Sequence, residues 1–158
     1  EREEIFLPEL ILGADIVQEN MKRLQPYIEG DSIDKKGKFL IGTVSGDLHD
    51  VGKNIVCAVF SAAGYDVIDL GIDVKTEVFI DNIRNERPDC LGLSALLTTT
   101  MHEQRIVIET IEEAGLRDSL KIMVGGAPTS ESWAKEIGAD AFAEDCFVGL
   151  KKLNEFFD

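Results

Sequence analysis

Positive charge is scarce in this chain. Sixteen lysines and arginines face 30 aspartates and glutamates, a formal net charge of −14 over 158 residues. Such a surface repels phosphate backbones and anionic lipid, which argues against nucleic-acid and membrane-surface roles. Long apolar runs are also missing. None approaches the length of a membrane span, and the opening EREEIF does not read as a signal peptide. Cysteine is sparse. Cys57, Cys90 and Cys146 are odd in number, far apart and set in apolar strand or helix contexts. They read as three buried thiols in a reducing cytosol, so the expected localisation is cytoplasmic. What is present is ordinary for a folded soluble protein, with 44% apolar and 29% charged residues. A chain of this length buries roughly two thirds of its unfolded surface and supports a core without disulfide or metal staples. Its length predicts one domain, with at most a short appendage.

Residues 7 to 28 carry a helical stripe. Leu7, Leu10, Ala14, Val17, Met21, Leu24 and Ile28 are spaced alternately three and four apart, which places them on one helix face. One helix cannot bury such a face alone, so 1–28 is expected to pack on other helices, on a partner or on the α/β region after it. Residues 29–38, EGDSIDKKGK, are polar and aperiodic and read as a linker. From residue 39 the pattern changes. Strands are predicted at 39–44, 65–70, 90–94, 120–125 and 140–143. Helices are predicted at 50–64, 75–86, 101–115, 130–138 and 146–157. Strict alternation implies an α/β fold over 39–158, a doubly wound five-stranded parallel sheet of the Rossmann or flavodoxin-like kind in the order 2-1-3-4-5. Ligands of such sheets bind beyond the carboxyl ends of the strands, where strands 1 and 3 diverge.

Three loops lie at that end: SGDLHD, ALLTTT and GAPTS. The first runs into Gly52-Lys53, but it is one residue too long for a phosphate loop, and Asn54 stands where a magnesium-holding Ser or Thr belongs. Asp47 and Asp50 would repel phosphate, and GxGxxG is absent. A receiver-type phosphorylation site needs an acid where this chain has Ser94. What stands out instead is His49, two residues after Asp47. An acid on one ring nitrogen turns the other outward as a metal donor, although from spacing alone a lone histidine is more often a structural or surface residue. No Cys, His or carboxylate cluster accompanies it, so a metal's other donors would have to come from a cofactor. Gly42 and Gly92 inside strands, and Gly125-Gly126 at a strand end, fit either close approach by a ligand or tight helix-on-sheet packing. With Ser94, Thr98 and Ala127 they suggest a small-walled slot. His102 reads as a surface residue, and Trp133 as packing a short helix on the sheet.

Taken in order, Asp47-Leu48-His49-Asp50-Val51-Gly52, Ser94-Ala95-Leu96 and Gly125-Gly126 resemble the cobalamin-binding domain of corrinoid-dependent methyltransferase systems. The continuation through Lys53-Asn54-Ile55-Val56 is more similar to methyl-carrier proteins than to isomerases. Phe6-Leu7-Pro8-Glu9-Leu10 and the helix after it resemble the end of the four-helix cap that precedes this domain, so the chain looks like a truncated, processed or divergent member. The resemblance implies cobalamin (a methylcobalamin or other corrinoid, with its cobalt) bound base-off and His-on. His49 would be the lower metal ligand, with Asp47 and the hydroxyl of Thr100 as its relay. The resemblance also implies Gly52, Ser94, Leu96, Thr98, Gly125, Gly126 and Ala127 as cofactor-binding residues, and Leu7 and Leu10 over the corrin's upper face. The implied role is a methyl carrier that is non-catalytic alone. Its partners would be a substrate-specific methyltransferase, a methyl-acceptor methyltransferase (with tetrahydrofolate, for example) and a reductive activase, with no nucleic acid and no membrane. A cobalamin-dependent sensor built on the same module is the alternative.

Overall fold

The computed structural model describes Ile16, Glu19, Asn20, Arg23 and residues 36–157. The four isolated residues are helical and exposed, and Glu19 pairs with Arg23 at 3.2 Å across one turn. Leu7 and Leu10, the rest of the expected stripe and most of the expected linker lie outside the described residues.

Five strands, β1 (Lys38–Thr43), β2 (Asp66–Asp69), β3 (Cys90–Ser94), β4 (Lys121–Gly125) and β5 (Ala141–Ala143), alternate with five helices. The helices are α1 (Val51–Ala62), α2 (Thr76–Glu86), α3 (Met101–Glu113), α4 (Glu131–Glu136) and α5 (Cys146–Glu155). The sheet is parallel throughout, in the order β2-β1-β3-β4-β5. The topology is the expected one, and the boundaries move by at most two residues at each end. β1 starts at Lys38, inside the expected linker. The helices α1 and α3 each stop two residues early, because Gly64 (φ 94) and Gly115 (φ 68) take the left-handed conformation. The next amide then bonds back to the fifth residue before it, Tyr65 to Phe60 at 3.1 Å and Leu116 to Ile111 at 3.0 Å, which closes each helix end. A short 3₁₀ turn, Arg117–Ser119, joins α3 to β4 and has no periodic signal.

The sheet is buried on both faces, which is why its strands read as continuous apolar runs. One face packs Leu40, Leu91, Leu93, Ile122 and Val124 against Phe79, Ile80 and Ile83 of α2 and Val107, Ile108 and Ile111 of α3. The other packs Phe39, Ile41, Cys90 and Met123 against Phe60 of α1 and Leu153 of α5. Each such fully buried side chain contributes about 1.5–3 kcal/mol. Two glycines serve this packing. A Cβ on Gly42 would lie 2.9 Å from the Phe79 ring, and one on Gly92 would lie 2.6 Å from that of Phe39. The space beside both is filled by core rings, so these two are not walls of a ligand slot.

Two smaller expectations also change. Cys90 is buried, but Cys57 and Cys146 are only partly so, because they sit on the flank of α1 and at the start of α5. His102 is exposed beside Glu103, as expected, and Trp133 packs on the core and donates its indole N–H to Gln104 at 2.9 Å. No helix among the described residues is long and apolar enough to cross a membrane.

Candidate functional site

The chain leaves β1 at Thr43 and turns sharply. The Val44 amide donates to Ser94, at the end of the neighbouring β3, and the Asp47 amide donates back to Val44. Gly46 makes that turn with φ 77. The turn drives the Asp47 side chain inward, where it is fully buried, and leaves the His49 ring half exposed. A buried carboxylate needs partners, and Asp47 has them on both oxygens. Its Oδ1 lies 2.6 Å from His49 Nδ1 and accepts the His49 amide at 3.1 Å. Its Oδ2 accepts the Thr100 hydroxyl at 2.6 Å and the amides of Leu96 and Leu97 at 2.7 and 3.3 Å.

Burial alone pushes the Asp47 carboxyl up. Donation from the Thr100 hydroxyl, the His49 ring and the Leu96 and His49 amides outweighs it and holds the group well below the usual carboxylate range. An ionised Asp47 only accepts, so the close His49 contact requires a proton on Nδ1. The Nε2 lone pair then faces away from the carboxylate on a half-exposed ring. That is the tautomer a metal-binding histidine needs.

The resemblance named three residues for this relay, and the fold brings all three together from two elements. Asp47 and His49 come from the loop after β1, and Thr100 comes from the residue that opens α3. Leu96 enters through its backbone, while its side chain is exposed. Ser94 ends β3 opposite Gly125. Gly126 (φ 122) is required by its surroundings, because a Cβ there would lie 1.8 Å from the Ala95 carbonyl oxygen. Gly52 differs, since a Cβ there meets nothing within 4 Å. Thr98 and Ala127 are exposed in their loops.

Exposed apolar side chains recur in the loops at this end of the sheet. Leu48, in the loop that carries His49, is 66% exposed, Leu96 and Leu97 after β3 are 43% and 41% exposed, and Phe147 at the start of α5 is 73% exposed. Exposed apolar side chains on one rim are the kind of surface that binding faces use. Among the described residues no group of three or more His, Cys, Asp and Glu is placed to hold a metal ion, so His49 is a single donor. One imidazole beside an apolar rim fits a metal that brings its own in-plane ligands, as a corrin does, and suits a bare ion poorly. A surface groove lined by Asp89, Arg117, Lys121 and Asp140 lies at the opposite, amino-terminal end of the strands.

Several supporting residues carry no motif. Asp73, in the left-handed conformation (φ 51), accepts the Gly46 amide at 2.7 Å and gives its own amide to the Asp47 carbonyl at 3.0 Å. Lys53, to which the sequence assigns no role of its own, is buried and pairs with Asp69 at 2.5 Å. Gln104 is fully buried and donates to the carbonyls of Leu93 and Gly125, tying the ends of β3 and β4 together. It shows in the sequence as one polar residue on the apolar face Gln104-Val107-Ile108-Ile111.

Comparison with known proteins agrees with this geometry. Residues 37–151 match the B12 binding domain. A corrinoid protein of Desulfitobacterium hafniense (strain Y51) is 50% identical over 158 residues, covering 96% of this chain and 72% of that one. The Methanosarcina barkeri monomethylamine corrinoid protein superposes with a TM-score of 0.83 at 36% identity, covering 96% of this chain and 72% of that one. A chain of the methanol:cobalamin methyltransferase complex MtaBC from Methanosarcina barkeri superposes with a TM-score of 0.75 at 30% identity, covering 97% and 58%.

Proposed function

We infer the function from one premise: this chain belongs to the B12 binding domain family. It binds a cobalamin and acts as a corrinoid protein that carries a methyl group within a methyltransferase system. The bound cofactor supplies a cobalt centre able to accept a methyl group and give it up again. The protein's part is to hold that centre and tune it.

The observation that carries the finer reading is the Asp47-held imidazole with its Nε2 turned to an apolar rim. His49 would be the protein's donor to the cofactor's metal, in the base-off, His-on mode. Asp47 fixes the tautomer and orientation, and Thr100 holds Asp47 in turn. With its other ring nitrogen held by Asp47, the imidazole would present a fixed donor to the cofactor's metal. Gly52 leaves open room at the start of α1. Ser94, Thr98 and Ala127, with Gly125 and Gly126, would line the pocket for the cofactor's nucleotide tail. Leu48, Leu96, Leu97 and Phe147 would offer apolar surface to the corrin. Leu7 and Leu10 are assigned to the upper face, with residues 1–28 as part of a cap.

A substrate-specific methyltransferase loads the methyl group. A second methyltransferase passes it to an acceptor such as tetrahydrofolate, and a reductive activase restores oxidised cofactor. The cytoplasm, with its reduced thiols, is where such a system would work.

The test is direct. The protein is incubated with hydroxocobalamin and passed over a sizing column. A red protein fraction is expected, with His49→Ala retaining less cofactor and showing a shifted visible spectrum. An identical spectrum in His49→Ala would remove His49 from the axial position.

A further inference from the structure

Asp47 holds the imidazole at Nδ1 and the His49 backbone at its amide, but neither contact fixes the carbonyl side of that residue. A second hold exists on the backbone side. The Thr43 hydroxyl donates to the carbonyl oxygen of His49 at 3.0 Å. Thr43 is fully buried at the last position of β1. Its amide donates to the Gly71 carbonyl and its carbonyl accepts the Val74 amide, both at 3.0 Å. The chain of contacts continues behind it. The Gly71 amide donates to Asp69 Oδ1 at 2.8 Å, and Asp69 Oδ2 takes the ammonium of Lys53 from the first turn of α1. The His49 backbone is thereby tied to β2 and to α1 through one side-chain hydroxyl.

We propose that Thr43 is a positioning residue, which fixes the peptide plane of His49 so that Nε2 points along one direction at the cofactor's metal. A buried hydroxyl at a strand position that valine would fill as well is costly unless it is bonded, and here its acceptor is the histidine backbone. This inference rests on His49 being the axial donor.

The experiment compares wild type with Thr43→Val, which keeps the shape without the hydroxyl, and Thr43→Ser, which keeps the hydroxyl. Each full chain is loaded with cobalamin and reduced to the Co(II) state, and electron paramagnetic resonance reads the ratio of His-on to His-off cofactor. Loss of one hydrogen bond is expected to lower that ratio roughly five-fold in Thr43→Val. Thr43→Ser is expected to stay within about two-fold of wild type, because its donor survives. Thr43→Ala is read in the same way if the valine variant does not fold. In the cofactor-free protein, nitrogen NMR of the His49 ring is expected to broaden in Thr43→Val and not in Thr43→Ser. A wild-type ratio in both hydroxyl-free variants overturns the role of Thr43. His49→Ala separates the Thr43 role from the His49 role. If it loses the axial nitrogen signal while Thr43→Val keeps it, only the Thr43 role is wrong; if it keeps the signal, the His49 reading falls and takes this inference with it.

Discussion

At the scale of single residues, the site depends on one buried carboxylate whose acceptor capacity is filled. The Thr100 hydroxyl is the shortest of the contacts to Asp47 Oδ2, and nothing polar replaces it if it is removed to valine. Thr100→Val is expected to destabilise the protein by about 1–3 kcal/mol, the range for leaving a buried charged acceptor one bond short. Thr100→Ser is expected to recover most of that in urea unfolding, and equal losses in the two variants would show that the methyl group matters more than the hydroxyl. Cys57 gives a second expectation. Burial first, and the neighbouring Asp69 charge second, push its thiol up to about 12, against partial opposition from Lys53. The folded state therefore favours the protonated thiol. The associated stability is whole below the ordinary thiol value of about 8.5 and is lost as pH rises from there toward the folded value. Between neutrality and about pH 10 the melting temperature of wild type is expected to fall more steeply than that of Cys57→Ala. Parallel pH profiles would contradict the assignment.

Among the elements, α1 matters most, because its first turn lies directly beyond His49. That turn carries Gly52 and Lys53, which make opposite claims on the fold. Nothing in the folded chain requires Gly52 to lack a side chain. Gly52→Ala is expected to stabilise the cofactor-free protein by up to about 1 kcal/mol through helix propensity. The same change is expected to weaken cobalamin retention on a sizing column, and unchanged retention would remove Gly52 from the cofactor site. Lys53 is buried, while its partner Asp69 is 36% exposed. Asp69→Asn leaves that cation without its counter-charge and is expected to cost about 2 kcal/mol, below the 3–5 of a fully buried broken pair. Lys53→Met, which removes the charge with its burial, is expected to cost less, and the reverse order in denaturant unfolding would refute this account of the pair.

This element also shows what sequence can and cannot disclose. The order of strands and helices was legible, because two buried sheet faces impose apolar runs and helices covering them impose a 3.6-residue period. The Asp47, His49 and Thr100 set was legible only through its resemblance to a family, since spacing alone cannot distinguish a ligand histidine from a surface one. The supports of the loop were illegible. Thr43, Asp73 and Lys53 act through contacts between residues 6, 27 and 16 positions apart in the chain. The first closes a loop that no turn motif announces, and the other two exist only once β1 and β2 are paired. Gly42 and Gly92 stayed ambiguous in the sequence, because a gap in a strand looks alike whether a ligand or a core phenylalanine fills it.

For the molecule as a whole, the division of labour follows from where the fold places its polar and apolar surface. The core is closed on both faces of the sheet, the reactive rim is confined to the carboxyl ends of the strands, and the remaining surface is acidic. A metal bound at this rim would meet a single imidazole, since among the described residues no group of three or more His, Cys, Asp and Glu is placed to hold an ion by itself. The most direct test of the central claim is the identity of the axial nitrogen. Uniformly nitrogen-15-labelled protein is loaded with unlabelled cobalamin, reduced to Co(II), and compared with unlabelled protein by electron paramagnetic resonance. If His49 is the lower ligand, each cobalt line changes from a triplet to a doublet in the labelled sample, and the doublet disappears in His49→Ala. A triplet that persists in the labelled protein would mean that the cofactor's own base still occupies the position.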